Sequence, residues 1–208
     1  MPVATLIVAA PLSARFNERF GTKIVVSTGL LIVAAAMTLM STIQVDTGYG
    51  RLAIAIAILG VGMGTAMAPA TDSIMGSLPL AKAGVGSAMN DTTRQVGGAL
   101  GVAVLGSVLA WQYGSAMTPA VAQLPSEAAD IASDSIGGAL AVASQIGQAA
   151  APLVDAAKLA FVDGMQIAVL VAAGVAFVGA VITLVFLPAW PTEAPEATTA
   201  MEEEPSAT

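Results

Sequence analysis

Apolar residues in this chain come in long runs separated by polar joints. Ile24–Ile43, Leu52–Leu78, Gly84–Ala110 and Gln166–Leu187 are each close to or beyond the roughly 20 mostly apolar residues that carry an α-helix across a bilayer. Four spanning helices are therefore expected. A fifth apolar stretch, Pro2–Leu12, is too short to span. Two readings apply to it. "VAAPLSA" has the look of a signal-peptide cleavage site, but no Lys or Arg precedes it, so the positive leading region of such a peptide is missing. The other reading, the end of a truncated transmembrane helix over residues 1–12, fits better. Between the third and fourth runs lies Trp111–Ala160, which is too polar to span. Ser126 follows Pro125 and precedes Glu127, the pattern of a helix start. One or two short amphipathic helices, broken near Gly137-Gly138, are expected there, with a solvated loop as the alternative. The tail 189–208 is rich in Pro, Glu and Thr and reads as disordered.

Composition supports the membrane reading. Of the 208 residues 56% are hydrophobic and 10% charged, where a soluble domain carries about 25% charged residues. Mean hydropathy is +0.83. There is no Cys and no His, which excludes disulfides, thiol chemistry and Cys/His zinc sites. No metal or cofactor is expected. The net charge is −7, with five of the fourteen acids beyond Trp190, and no basic footprint points to nucleic acid. Arg15, Arg19, Lys23 and Lys82 fall on one side of the expected spans, Arg51 and Lys158 on the other. The richer side faces the cytoplasm. That puts 13–23 and the acidic tail inside and 111–160 outside. Trp111, Trp190, Tyr49 and Tyr113 sit at or beyond span ends, as interfacial anchors do.

Three ionisable residues lie well inside apolar runs: Asp72, Asp91 and Arg94. A charge at membrane depth costs about 2.5–3.5 kcal/mol on the insertion scale and usually faces protein or a water-filled cavity. Asp91 and Arg94 share one helix face. Asp72 and Asp91 are nearly equidistant from the turn at Leu80–Ala83. If the second and third helices pack as antiparallel neighbours, both acids stand at one depth, with Arg94 about a turn deeper. One arginine would then bridge two acids. Two roles follow for this group: a polar lock between helices, or a proton relay, since neighbouring carboxylates titrate at raised pKa. Asn90, Thr92, Thr93 and Gln95 add hydrogen-bonding capacity for a substrate or another helix. Gly97, Gly98 and Gly101 leave room for a helix to approach closely. "GVGMG" at Gly60–Gly64 looks like part of a phosphate loop but lies inside a span without the strand–helix setting such a loop needs.

The stretch "APATDSIMGSLPLAKAGVGSAMNDTTRQVGGALGVAVLGSVL" (Ala68–Leu109) resembles the C-terminal half of a major facilitator superfamily transporter. It is most similar to the fourteen-helix drug:proton antiporters of the EmrB/QacA type. The likeness is specific over Asp72–Leu109 and looser from Pro11 to Pro188. "NERFGTK" is similar to the second-half copy of the superfamily's cytoplasmic signature loop. Arg19, Gly21 and Lys23 match it; Glu18 stands where Asp is usual and Ala14 where Gly is usual. The resemblance implies an all-α integral membrane chain with a partial major facilitator fold: the end of one helix and four full helices of the C-terminal bundle over 24–188.

What the resemblance implies for function is proton-coupled multidrug efflux across the plasma membrane by alternating access. The partners would be small lipophilic or cationic compounds, protons, the lipid bilayer and the missing N-terminal half. Glu18, Arg19, Gly21 and Lys23 would form a gating loop. Asp72, Asn90, Asp91, Arg94 and Gln95 would be the intramembrane polar group, and Gly97, Gly98 and Gly101 a packing face. The rival reading is a small standalone module that binds or regulates a partner membrane protein. An enzyme has little support, because no nucleophile–base or metal constellation accompanies the acids.

Overall fold

The computed structural model describes residues 21–187, and these are helical almost throughout. Six α-helices follow one another: α1 Thr22–Met40, α2 Tyr49–Gly76, α3 Ala83–Val121, α4 Ser126–Asp134, α5 Ile136–Ile146 and α6 Ala151–Phe186. Short 3-10 turns at Leu80–Lys82 and Gly147–Ala150 lead into α3 and α6. α1, α2, α3 and α6 are long and apolar enough to cross a membrane. The chain is an all-α, multi-pass membrane protein, as its apolar runs require.

α1 and α2 start and stop within a few residues of their apolar runs, but α3 and α6 do not. α3 continues past Ala110 to Val121, and α6 starts at Ala151, well before Gln166. At 1.5 Å per residue their 39 and 36 residues extend about 58 and 54 Å, against a hydrocarbon core about 30 Å thick. Both therefore project from the bilayer. The segment Trp111–Ala160, expected as a loop with one or two short helices, is instead helical nearly throughout. The break between α4 and α5 falls at Ser135, two residues before the expected glycine pair. Ser135 is extended (φ −159°, ψ 156°) and its hydroxyl caps α5 by accepting from the Gly138 N–H.

The long helices stand in a row. α1 packs on α2 and on α6, and α6 packs on α3. Glycine sets the spacing of the first contact. A Cβ on Gly29 would meet the Ala66 Cβ at 2.8 Å and the Gly62 carbonyl oxygen at 2.9 Å; one on Gly62 would meet the Val33 amide nitrogen at 2.8 Å. α1 and α2 thus touch backbone to backbone, the close approach that small residues permit in lipid. Gly60, Gly62 and Gly64 are buried positions inside α2, so the phosphate-loop likeness falls within a helix. Gly164 of α6 likewise faces Leu109 of α3. Gln166 donates from Nε2 to the Ile43 carbonyl at 2.7 Å, tying α6 to the α1–α2 joint.

α2 and α3 are consecutive, yet they touch only lightly. Gly86, at the start of α3, lies beside Met75 and Leu78 at the end of α2. The expected antiparallel pairing of α2 and α3 is therefore corrected: α1 and α6 take the inner places of the row, and α2 and α3 its edges.

Candidate functional site

The intramembrane polar group lies on the edge helix α3. From Asp91 through Leu100 every residue is exposed. Asp91, Arg94, Gln95, Gly98 and Gly101 are spaced at threes and fours, so charges, amide and glycines share one broad face. The Thr92 hydroxyl donates to the Ala88 carbonyl at 2.7 Å and that of Thr93 to the Met89 carbonyl at 2.8 Å. Both hydroxyl protons are thus spent inside the helix. The groups left to meet a partner are the side chains of Asn90, Asp91, Arg94 and Gln95.

Asp72, on α2, is exposed as well. Among the described residues the single ion pair is Lys158–Asp155 at 3.8 Å, far along the chain from this group. Asp91 and Arg94 therefore do not form the expected lock, and neither joins Asp72. The physical reason is the row order: with α2 and α3 on separate edges, Asp72 and Asp91 do not face each other. A Cβ on Gly97, Gly98 or Gly101 would meet nothing within 4 Å. Among the described residues, no helix rests on this face. The arrangement is an open face with a carboxylate, a guanidinium and two amides beside a notch of glycines. Such a face suits an apposed helix or a polar ligand in a cavity.

Of the gating-loop residues, Glu18 and Arg19 lie outside the described residues, as do the truncated helix at 1–12 and the tail at 189–208. Gly21 is buried and has φ 80°, the left-handed region that glycine enters without strain. It turns the chain into α1. Lys23 follows in the first helical turn and is half-buried.

Sequence reasoning missed a second feature at the other end of α3. Tyr113 reads as an interfacial anchor but is 2% exposed. Its hydroxyl donates to the Ala132 carbonyl of α4 at 3.0 Å. Around it Met117, Val121, Ala132, Ala139, Val142, Ala143, Leu153, Ala157 and Ala160 form one buried cluster, drawn from α3, α4, α5 and α6. The signal was the spacing: 113, 117 and 121 recur every fourth residue, as do 153 and 157. Trp111 and Tyr49 are 72% and 83% exposed, as anchors would be.

No protein-family model matches the chain. Comparison with curated proteins gives homologues among transporters and drug-resistance proteins. The chain is 35% identical over 199 residues to the tetracenomycin C resistance and export protein of Streptomyces glaucescens, covering 92% of this chain and 37% of that protein. It is 29% identical to the multidrug efflux pump LfrA of Mycolicibacterium smegmatis, covering 83% of this chain and 34% of the pump. It is 27% identical to the multidrug transporter protein MdtP of Bacillus subtilis, over 62% of this chain and 24% of that protein. The chain spans about a third of the length of the first two. These relatives are export proteins and pumps, not enzymes.

Proposed function

We propose that this chain is the C-terminal part of a secondary active transporter of the major facilitator superfamily, in its fourteen-helix drug:proton antiporter branch. In this reading it takes part in proton-coupled efflux of small lipophilic or cationic compounds by alternating access. The observation that carries the reading is the alignment over 92% of the chain with the tetracenomycin C resistance and export protein. The open polar face of α3 supports it. A charged helix face without a partner among the described residues fits a bundle with further helices, around a cavity near the bilayer midplane.

In this reading Asp91 exchanges a proton, and Arg94 stands one turn away on the same helix face. Glu18, Arg19 and Lys23 latch the cytoplasmic side, with Gly21 setting the bend into α1. The C-terminus lies in the cytoplasm. The test is efflux by the longer protein that contains this chain. Cells producing it should accumulate less of a lipophilic dye such as ethidium, and a protonophore should abolish the difference. Asp91→Asn should reach the membrane at the normal level and lose pH-dependent efflux. Unchanged efflux by that variant at every pH would remove Asp91 from the coupling step. Efflux that persists with the protonophore would remove the antiport.

A further inference from the structure

α3 is held unevenly. Four of its residues are buried: Gly86 beside the turn from α2, and Tyr113, Met117 and Val121 in the outer third. Between Gly86 and Tyr113, the length that crosses the membrane, no residue is buried. α6 differs: Leu153, Ala157, Ala160, Gly164, Ala168, Ala173 and Ala180 are buried along its whole length. The buried grip on α3 is therefore concentrated at its C-terminal third, where α6 and α4 pack on it and α5 joins α4 to α6.

That outer region is built as a small water-facing unit. Its buried cluster unites α3, α4, α5 and α6 around Tyr113 and Met117. Its exposed surface carries Glu127, Asp130, Asp134, Asp155 and Lys158. Two details fix its shape. The Tyr113 hydroxyl reaches the α4 backbone at Ala132, nineteen residues along the chain. Gly138 lies against the Ile131 carbonyl so closely that a Cβ there would collide with backbone. The α4–α5 corner therefore requires glycine at 138.

We propose that this outer cap is a clamp that sets the position of α3 in the membrane. It grips α3 and α6 above the bilayer and so determines where the Asp91–Arg94 level of α3 stands relative to α1 and α2. Gly138 shapes the corner of the clamp and Tyr113 latches it. Between Gly86 and Tyr113 no buried residue fixes α3, so a loosening at Tyr113 shifts the helix at Arg94, about five turns away. The proposal does not depend on what the protein exports.

Because the chain has no Cys, two labels suffice to read it. Ile54→Cys on α2 and Val96→Cys on α3 are both exposed sites, at 58% and 53%, on opposite edges of the row. Nitroxide labels on this pair, in the full chain in lipid nanodiscs, report their separation by pulsed electron resonance. With the native cap one narrow distance distribution is expected. Gly138→Val should at least double its width, and hydrogen exchange over 126–146 should quicken. Tyr113→Phe, which keeps the ring and removes the hydroxyl, should broaden it by a smaller amount. If Gly138→Val fails to reach the membrane, Tyr113→Phe decides alone. An unchanged width in the variants that insert overturns the proposal, whether or not exchange in the cap has risen.

Discussion

A single methyl group separates the glycines of this chain into two kinds. At Gly62 an added Cβ would sit 2.8 Å from the Val33 amide nitrogen. Backbone cannot yield as a flexible side chain can, so Gly62→Ala should destabilise the α1–α2 contact by about 1–3 kcal/mol, as overpacking does. At Gly98 there is open space, and alanine is the better helix former by up to about 1 kcal/mol. Gly98→Ala should therefore leave this chain as stable or more so. Thermal unfolding in detergent compares the two, and a loss at Gly98 as large as at Gly62 would mean that something covers α3. The charges argue alike. Asp91 and Arg94 make no ion pair with each other, so exchanging them should not rescue the single reversals. Membrane protein levels of Asp91→Arg, Arg94→Asp and the double variant decide this, and restoration by the double variant would mean the two side chains do interact.

At the scale of elements, the sequence disclosed what lipid reads and concealed what water reads. Apolar runs marked α1 and α2 to within a few residues, because both helices end where the membrane does. α3 ends, and α6 begins, elsewhere. Beyond Ala110 the α3 helix turns amphipathic, with Gln112, Ser115 and Thr118 among its residues and Tyr113, Met117 and Val121 on its buried side. A scale tuned to bilayers sees that as a loop. Asp72, Asp91 and Arg94 were legible as anomalies, since nothing else in the spans is charged. Their separation was not, because chain order suggested α2 beside α3 while packing put α1 and α6 between them. The cap can be located chemically. With the cysteine-free background, Thr118→Cys on α3 and Gln145→Cys on α5, both exposed, should react with a membrane-impermeant maleimide. Val102→Cys and Val175→Cys, exposed only to lipid in this reading at 76% and 66%, should not. An unreactive Thr118→Cys would put the outer third of α3 inside the bilayer and dissolve the cap.

At the scale of the whole molecule, the four described spans stand in a row in which α3 packs chiefly on α6, and that edge carries the charges. In a bilayer, Asp91 and Arg94 on an uncovered edge would each cost about 2.5–3.5 kcal/mol on the insertion scale. Side chains reaching the headgroups soften that cost without removing it. The face is therefore a liability for this chain alone and an asset only when covered. Replacing both charges separates these conditions. In the 208-residue chain produced by itself, Asp91→Leu with Arg94→Leu should raise the amount found in the membrane. In the longer transporter proposed above, the same pair should abolish efflux, because the polar level then has nothing with which to exchange protons. Quantitative blotting of membranes reads the first and dye accumulation the second. If the double variant gains nothing in membrane level, the α3 face is already covered when the chain is alone, and a second copy of the chain becomes the occupant to test. If it gains level and efflux by the longer protein survives, the charges serve assembly and the proton travels by another route.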